Sequence, residues 1–348
     1  MLLEGIFPAL TTPFYPDGRL YLKKLEHNVE RYSRTPVAGL TILGSTGEAV
    51  MLTDEESRQV LRHARNAAAP EKVLLAGIAR ESVSATLDLA EYAASHSYDA
   101  VLVRTPNYYP YSNGDMLTYY RALADRAPLP VIIYSIPKFT RYEIPVEVVA
   151  ELAQHPNIVG IKDSSGSVDR VKALVEATRN APQREALVTP VFAALTTRMM
   201  YAMSALPDNF VSAEALGGTI SIAPPLVEAK LMRRKKVGFQ VLTGSANQFF
   251  DSLMVGATGG ILALAAPAPQ ACQEIYTAWK ENDPALAAVK QQRVVDASVN
   301  VLGKYGIPGA KHACDLNGYY GGRPRLPLVA LNAEQQAEVA RIMADLRN

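Results

Sequence analysis

A closed (β/α)8 barrel is the fold class that this sequence predicts, on three observations. Short apolar, β-branched segments alternate with longer amphipathic stretches, eight such units can be traced, and antiparallel hairpin signals are missing between them. Strand-helix alternation calls for a parallel sheet, and eight repeats close one into a barrel.

The predicted strands are 5–10, 39–43, 73–77, 100–103, 131–134, 158–162, 240–243 and 260–265. Each is a short apolar run of the length expected for a strand buried on both faces. Helical periodicity places helices at 22–34, 54–68, 82–95, 115–127, 145–155, 167–179 and 247–255. Thr53 followed by Glu56 has capping-box spacing for the second helix, and Ser82 and Ser167 are placed to cap two others. Beyond the last strand, 269–281, 284–303 and 333–346 read as additional helices. Gly306-Ile307-Pro308-Gly309 reads as a turn between two of them, and Tyr319-Tyr320-Gly321-Gly322-Arg323-Pro324-Arg325 as a loop. The expected organisation is therefore a barrel over 1–266 and a C-terminal helical extension over 267–348.

One segment interrupts the pattern. The sixth β/α connection swells into an anomalous insertion at 181–236, with an apolar run at 187–194, then Met199, Met200 and Met203, Pro224-Pro225, and the basic run Arg233-Arg234-Lys235-Lys236. It lies between a helix and the next strand, so it should leave the barrel at the N-terminal face, away from the chemistry. Three readings compete: a structured decoration, a partner-binding appendage, or translated non-coding sequence from a faulty gene model. The last is favoured, because Arg179 would join Phe239 through an ordinary loop without it.

Composition narrows the function. The 348 residues carry 35 Lys plus Arg against 34 Asp plus Glu, a net charge of +1 that gives no case for a nucleic acid or a membrane as partner. No apolar run reaches the roughly 18 residues of a membrane span. Cys272 and Cys314 are far apart and lack CxxC spacing, which suits reduced thiols. His27, His63, His96, His155 and His312 form no HxH or HExxH pair, so no metal site is expected. The N-terminus shows neither a signal core nor a basic presequence, so a cytoplasmic location is expected; a trimmed gene model would leave a mitochondrial one open.

The informative run is Gly160-Ile161-Lys162-Asp163-Ser164-Ser165-Gly166. Lys162 ends an apolar strand, where a barrel places its chemistry. A lysine there can also snorkel to water, but three neighbouring loops supply complementary groups. Gly44-Ser45-Thr46-Gly47-Glu48 follows the second strand and suits a small carboxylate, with converging N–H groups and two hydroxyls. Thr105-Pro106-Asn107-Tyr108-Tyr109-Pro110 follows the fourth, and Tyr134-Ser135-Ile136-Pro137 the fifth. A lysine that titrates well below its reference value of about 10.4 condenses with a 2-oxo acid. The iminium then draws electrons from the adjacent carbon while a tyrosine moves protons. This is Schiff-base chemistry without a cofactor, on a small 2-oxo acid carrying a pyruvate unit.

These motifs, with the glycine-rich Gly256-Ala257-Thr258-Gly259-Gly260, resemble the dihydrodipicolinate synthase / N-acetylneuraminate lyase family of pyruvate-dependent aldolases over nearly the whole chain outside the insertion. The resemblance implies Lys162 as Schiff-base lysine, Tyr134 as proton-transferring tyrosine, Ser45 as hydroxyl relay and Thr46, beside Gly44, as carboxylate binder. It implies that one of Tyr108 and Tyr109 reaches across a subunit interface, and that the protein is a homo-oligomer, a dimer or tetramer. The synthase branch carries an arginine five residues after the catalytic tyrosine; here that position is Phe139, with Lys138 and Arg141 out of register. Tyr134-Ser135-Ile136-Pro137, Lys162-Asp163-Ser164, Tyr305-Gly306-Ile307-Pro308-Gly309 and Gly318-Tyr319-Tyr320-Gly321-Gly322 are similar to the 4-hydroxy-2-oxoglutarate aldolase branch, which yields pyruvate and glyoxylate. By that resemblance Ser164, Gly244 and Ser245 line the substrate's distal side, while Ser164 is equally readable as a helix cap. The alternatives are a 4-hydroxy-tetrahydrodipicolinate synthase, an aldolase for a 2-keto-3-deoxy sugar acid, and a catalytically inactive barrel kept as a binding protein. Retention of Lys162, Tyr134, Ser45 and Thr46 argues against the last.

Overall fold

The computed structural model describes residues 1–188 and 233–346. Eight strands form one parallel sheet: β1 (Gly5–Pro8), β2 (Gly39–Ile42), β3 (Val73–Gly77), β4 (Ala100–Arg104), β5 (Val131–Ser135), β6 (Ile158–Asp163), β9 (Gln240–Thr243) and β10 (Gly259–Leu262). Between β6 and β9 lie β7 (Arg184–Val188) and β8 (Arg233–Val237). The sheet order is β1-β10-β9-β6-β5-β4-β3-β2. The two outer strands then meet: Ala38 N–H donates to Ile6 O at 2.9 Å and Leu10 N–H to Thr41 O at 3.0 Å. Closure leaves no open edge, and the fold is a (β/α)8 barrel.

Strand alternation sorts the side chains into two cores. Phe7, Leu75, Leu102, Ile132, Tyr134, Leu242 and Ile261 pack together inside the barrel. Their neighbours Ile6, Leu74, Val101, Val103, Ile133 and Ile161 pack outward with the helices. This is the period-two division of a strand buried on both faces. Because Lys162 pairs with Tyr134 on one side and Leu242 on the other, it belongs to the inward set, at the C-terminal end.

The helix caps follow local chemistry. Thr53 and Glu56 form a capping box at Asp54–Ala67, and Ser82 caps Val83–Ser95. Asn113–Ala124 begins two residues before the expected start, because Ser112 and Asp115 form a second box there. Pro137–Thr140 is a short helix that periodicity does not reveal. The C-terminal extension contains Pro269–Lys280, Pro284–Asp296, a π-helical stretch Ala297–Gly303, Lys304–Leu316 and Ala333–Ile342. The expected turn at 306–309 is instead a kink within Lys304–Leu316: Gly306 adopts φ 56°, ψ −134°, a conformation open to glycine, and the helix resumes around Pro308. Cys272 and Cys314 are free and buried, and burial pushes both thiols up to about 12. Among the described residues no helix is long and apolar enough to cross a membrane.

Two described strands border the unusual connection. β7 and β8 pair antiparallel from Arg184 with Val237 to Val188 with Arg233, a ribbon that brings together the two ends of the 181–236 segment. The ribbon was not foreseen because its strands lie far apart in sequence and β8 is the basic run itself. Ala186 and Val237 pack on Leu2, and Arg184 donates to Val159 O at 2.9 Å and Gly238 O at 3.0 Å. These contacts place the ribbon at the N-terminal face, as expected. Met199, Met200, Met203 and Pro224-Pro225 lie outside the described residues.

Val188 and Arg233 form the last pair of the ribbon, so a two-residue Asn-Gly turn can join them. Replacing 189–232 with that turn is expected to leave the urea unfolding midpoint unchanged. A lower midpoint would show that the removed segment contributes to stability.

Candidate active site

The site grows from the end of β6. Lys162 is 4% exposed, and its Nζ lies 3.9 Å from the centroid of the Tyr134 ring. Among the described residues no carboxylate pairs with it. The next residue, Asp163, is buried and bound elsewhere: its Oδ2 accepts from Arg170 Nε at 2.9 Å, and its Oδ1 from Ser165 N–H at 3.1 Å and from the Ser165 hydroxyl. Asp163 therefore holds the strand end from outside the barrel and leaves the Lys162 amine to the cavity.

The second wall is the turn after β2. Ser45–Gly47 forms one 3-10 turn between two residues with positive φ, Leu43 (φ 60°) and Glu48 (φ 56°). A buried leucine at positive φ is strained, and such strain gathers where surrounding structure holds a functional loop in place. Gly77 permits this path, since a Cβ there would overlap the Leu43 carbonyl. The turn sets Ser45 Oγ 3.4 Å from Tyr134 OH.

Glu48 explains how the turn is held. It is fully buried, and its Oε1 lies 2.6 Å from Lys311 Nζ. Lys311, 1% exposed, also donates to Thr12 O and Arg323 O, each at 2.9 Å. The other Glu48 oxygen accepts from Arg325 N–H at 2.7 Å. Burial pulls the Lys311 ammonium below its ordinary value, and Glu48 opposes that shift. The sequence reading gave neither residue a role; each looks like an ordinary surface charge until the extension folds back.

A cavity of about 290 Å3 lies over these groups, lined by Ser45, Thr46, Tyr134, Lys162, Ser164 and Ser245 among others. Gly244 also lines it; a Cβ there would overlap Ser164 Oγ, so glycine is what lets that hydroxyl face the cavity. Ser167, not Ser164, caps the helix after β6, accepting from Arg170 N–H at 3.2 Å. The helix-cap reading of Ser164 is thereby set aside. Gly44 borders a smaller space beside Ser45 and Tyr134. Tyr108 and Tyr109 do not join the constellation within one chain: they are 79% and 65% exposed, with ring centroids 5.0 Å apart. Tyr108 borders a surface cleft of about 530 Å3, which Tyr109 does not.

Part of the cavity escaped the sequence reading. Ser298, Leu302, Gly306 and Ile307 reach it from the extension, and Asn247 from the chain after β9. The π-helical stretch has no sequence period that would reveal it. Lys138 and Phe139 were noticed only as out-of-register neighbours, yet both line the cavity.

Replacing Lys311 with Met leaves the Glu48 carboxylate buried without its cation, and is expected to cost about 3–5 kcal/mol in urea unfolding. The double variant Lys311→Met/Glu48→Gln should lose clearly less than the single one. A double-variant loss equal to the sum of the Lys311→Met and Glu48→Gln losses would show that the two groups are not coupled.

Comparisons with known proteins agree with this architecture. The model of the dihydrodipicolinate synthetase family matches residues 2–182 and 226–346. A 4-hydroxy-tetrahydrodipicolinate synthase from Methanothrix thermoacetophila is 26% identical over 346 residues, covering 99% of this chain and 97% of its own. The synthase of the same name from Xanthomonas axonopodis pv. citri is 39% identical over 175 residues, 50% of this chain and 58% of the relative. Among solved structures, dihydrodipicolinate synthase DapA-2 from Bacillus anthracis superposes with a TM-score of 0.80 at 22% identity, covering 100% of both chains. YagE, a prophage protein from E. coli K12 solved in complex with pyruvate, gives 0.77 at 23% identity, covering 99% of both. The break in the family match falls within the unusual connection, while Ser45, Tyr134 and Lys162 lie in the matched parts. The chain belongs to the dihydrodipicolinate synthetase family.

Proposed function

We propose that this protein is a Schiff-base enzyme that makes or breaks a carbon–carbon bond at the methyl carbon of a pyruvate unit. The observation that carries this reading is the buried Lys162 amine against Tyr134, whose hydroxyl lies 3.4 Å from Ser45 Oγ. In the cleavage direction the Lys162 amine adds through its nitrogen lone pair to C2 of a 4-hydroxy-2-oxo acid. Loss of water leaves an iminium. Tyr134 takes the proton of the 4-hydroxyl, the C3–C4 bond breaks, and its electron pair enters the iminium to give an enamine and a free aldehyde. Protonation at C3 and hydrolysis return pyruvate and the amine. Ser45 relays the proton, and the Thr46 turn holds the C1 carboxylate. No metal or cofactor takes part in this scheme.

Two partner aldehydes are in view. Glyoxylate, from 4-hydroxy-2-oxoglutarate, is supported by Phe139 at the cavity and by the Ser164 hydroxyl beside Gly244. Aspartate semialdehyde is supported by the relatives, which carry the name 4-hydroxy-tetrahydrodipicolinate synthase along nearly the whole chain. The exposed Tyr108 and Tyr109 favour a working form in which a second copy covers them, as a dimer or tetramer.

Borohydride trapping with pyruvate, followed by peptide mapping, is expected to give one pyruvate-sized adduct, on Lys162. Tyr134→Phe should lower turnover by about 10²–10⁴-fold. An adduct-free folded protein would overturn the proposal. Consumption of pyruvate with aspartate semialdehyde, set against cleavage of 4-hydroxy-2-oxoglutarate, assigns the aldehyde.

A further inference from the structure

A third long polar side chain enters the barrel at the level of Tyr134 and Lys162. On β4, Ala100 and Leu102 pack inside and Val101 and Val103 outside, so alternation turns Arg104 inward. Arg104 is the sheet partner of Tyr134, as Tyr134 is of Lys162. The sequence reading gave it no role. Its side chain is 16% exposed, and Nη2 donates to Glu81 Oε1 at 3.1 Å. Nη1 donates to Thr105 O at 2.8 Å and to Asn107 Oδ1 at 3.0 Å. Glu81 turns its other oxygen to the same loop, accepting from Asn107 N–H at 3.0 Å and Tyr108 N–H at 3.2 Å. Burial opposes ionisation of Glu81, but these donors outweigh it and hold the carboxyl below its ordinary value. The guanidinium is therefore anchored on one side, while N–H groups remain that find no acceptor among the described residues.

Arg104 borders the small space beside Ser45 and Tyr134, about 30 Å3, and also the surface cleft of about 530 Å3. It stands between the hydroxyl pair and solvent. A space of that size takes a water when a few polar groups line it, and here Arg104 supplies N–H donors and Ser45 and Tyr134 supply hydroxyls. We propose that Arg104, held by Glu81, is a positioning residue for the proton relay: it fixes a water against the Ser45–Tyr134 pair and so connects that pair to the solvent of the cleft. The inference rests on the Schiff-base reading. As the pyruvate iminium becomes the enamine, a C3 proton passes to Tyr134 while the phenol proton moves to Ser45 and the Ser45 proton to the water. The electron pair of the C3–H bond becomes the C2–C3 double bond, and the reverse sequence returns a solvent proton to C3. A misplaced water slows this transfer and leaves the equilibrium occupancy of Lys162 by pyruvate as it was.

The test uses the full chain with methyl-deuterated pyruvate in ordinary water. Loss of the methyl deuterons is followed by NMR, and borohydride trapping on Lys162 is measured in parallel against pyruvate concentration. Arg104→Met is expected to slow the exchange about 10–100-fold, the scale of a misplaced reacting group, while half-saturation of trapping and the far-UV CD spectrum match the wild type. Arg104→Lys, which keeps N–H donors on the same side chain position, should recover most of the rate. Glu81→Gln leaves Arg104 in place but weakens its anchor, and should slow exchange by a smaller factor than Arg104→Met. Unchanged exchange in Arg104→Met, a loss that exchange and trapping share equally, or an equal loss in Arg104→Lys overturns the assignment and leaves the Schiff-base reading intact. Folded wild-type protein that gives no adduct with pyruvate overturns both.

Discussion

The buried pair between Glu48 and Lys311 is the interaction on which the site depends. Glu48 ends the turn that carries Ser45 and Thr46, and Lys311 belongs to the last third of the chain. Two buried charges are costly unless each is fully partnered. Here the carboxylate also accepts from Arg325 N–H, and the ammonium also donates to two carbonyls. These contacts hold the turn against the C-terminal extension. It also means that the barrel alone does not complete the site: the C-terminal extension supplies the cation that holds the second loop, and it closes one side of the cavity through Ser298, Leu302 and Ile307.

The second constraint is strand register. Tyr134 and Lys162 occupy paired positions on adjacent parallel strands, so both side chains enter the barrel at one level. A shift of one residue would turn Lys162 outward into the helix layer. Asp163, next in sequence, does face away, and its bond to Arg170 fixes the strand end. Placement of the amine against the phenol thus follows from the same alternation that packs Leu102, Ile132 and Leu242 inside.

The described part of the unusual connection stands apart from this arrangement. It is a ribbon at the N-terminal face, bound to Leu2 and to the backbone at Val159 and Gly238. The cavity lined by Lys162 and Tyr134 lies at the other end of the strands. A barrel tolerates change at one face while working at the other because its packed interior separates the two.

The sequence by itself determined the eight-strand barrel, because a period of two and a period near 3.6 are local properties. It also pointed to Lys162, Tyr134, Ser45 and Thr46, because each stands at a strand end or in a glycine-marked turn, while Ser164, Gly244 and Ser245 came only from the family resemblance. Only the tertiary structure decided the rest. The roles of Glu48 and Lys311 depend on a contact across more than two-thirds of the chain, which no local pattern records. Ser298 and Ile307 reach the cavity through a π-helical stretch and a glycine kink that helical periodicity passes over. The β7–β8 ribbon pairs segments from the two ends of the unusual connection. Tyr108 and Tyr109 looked equivalent and both remain at the surface, since within one chain nothing draws them toward Lys162. Local sequence sets which way a side chain points from its own element; which elements then meet is settled by burial and charge pairing across the whole chain.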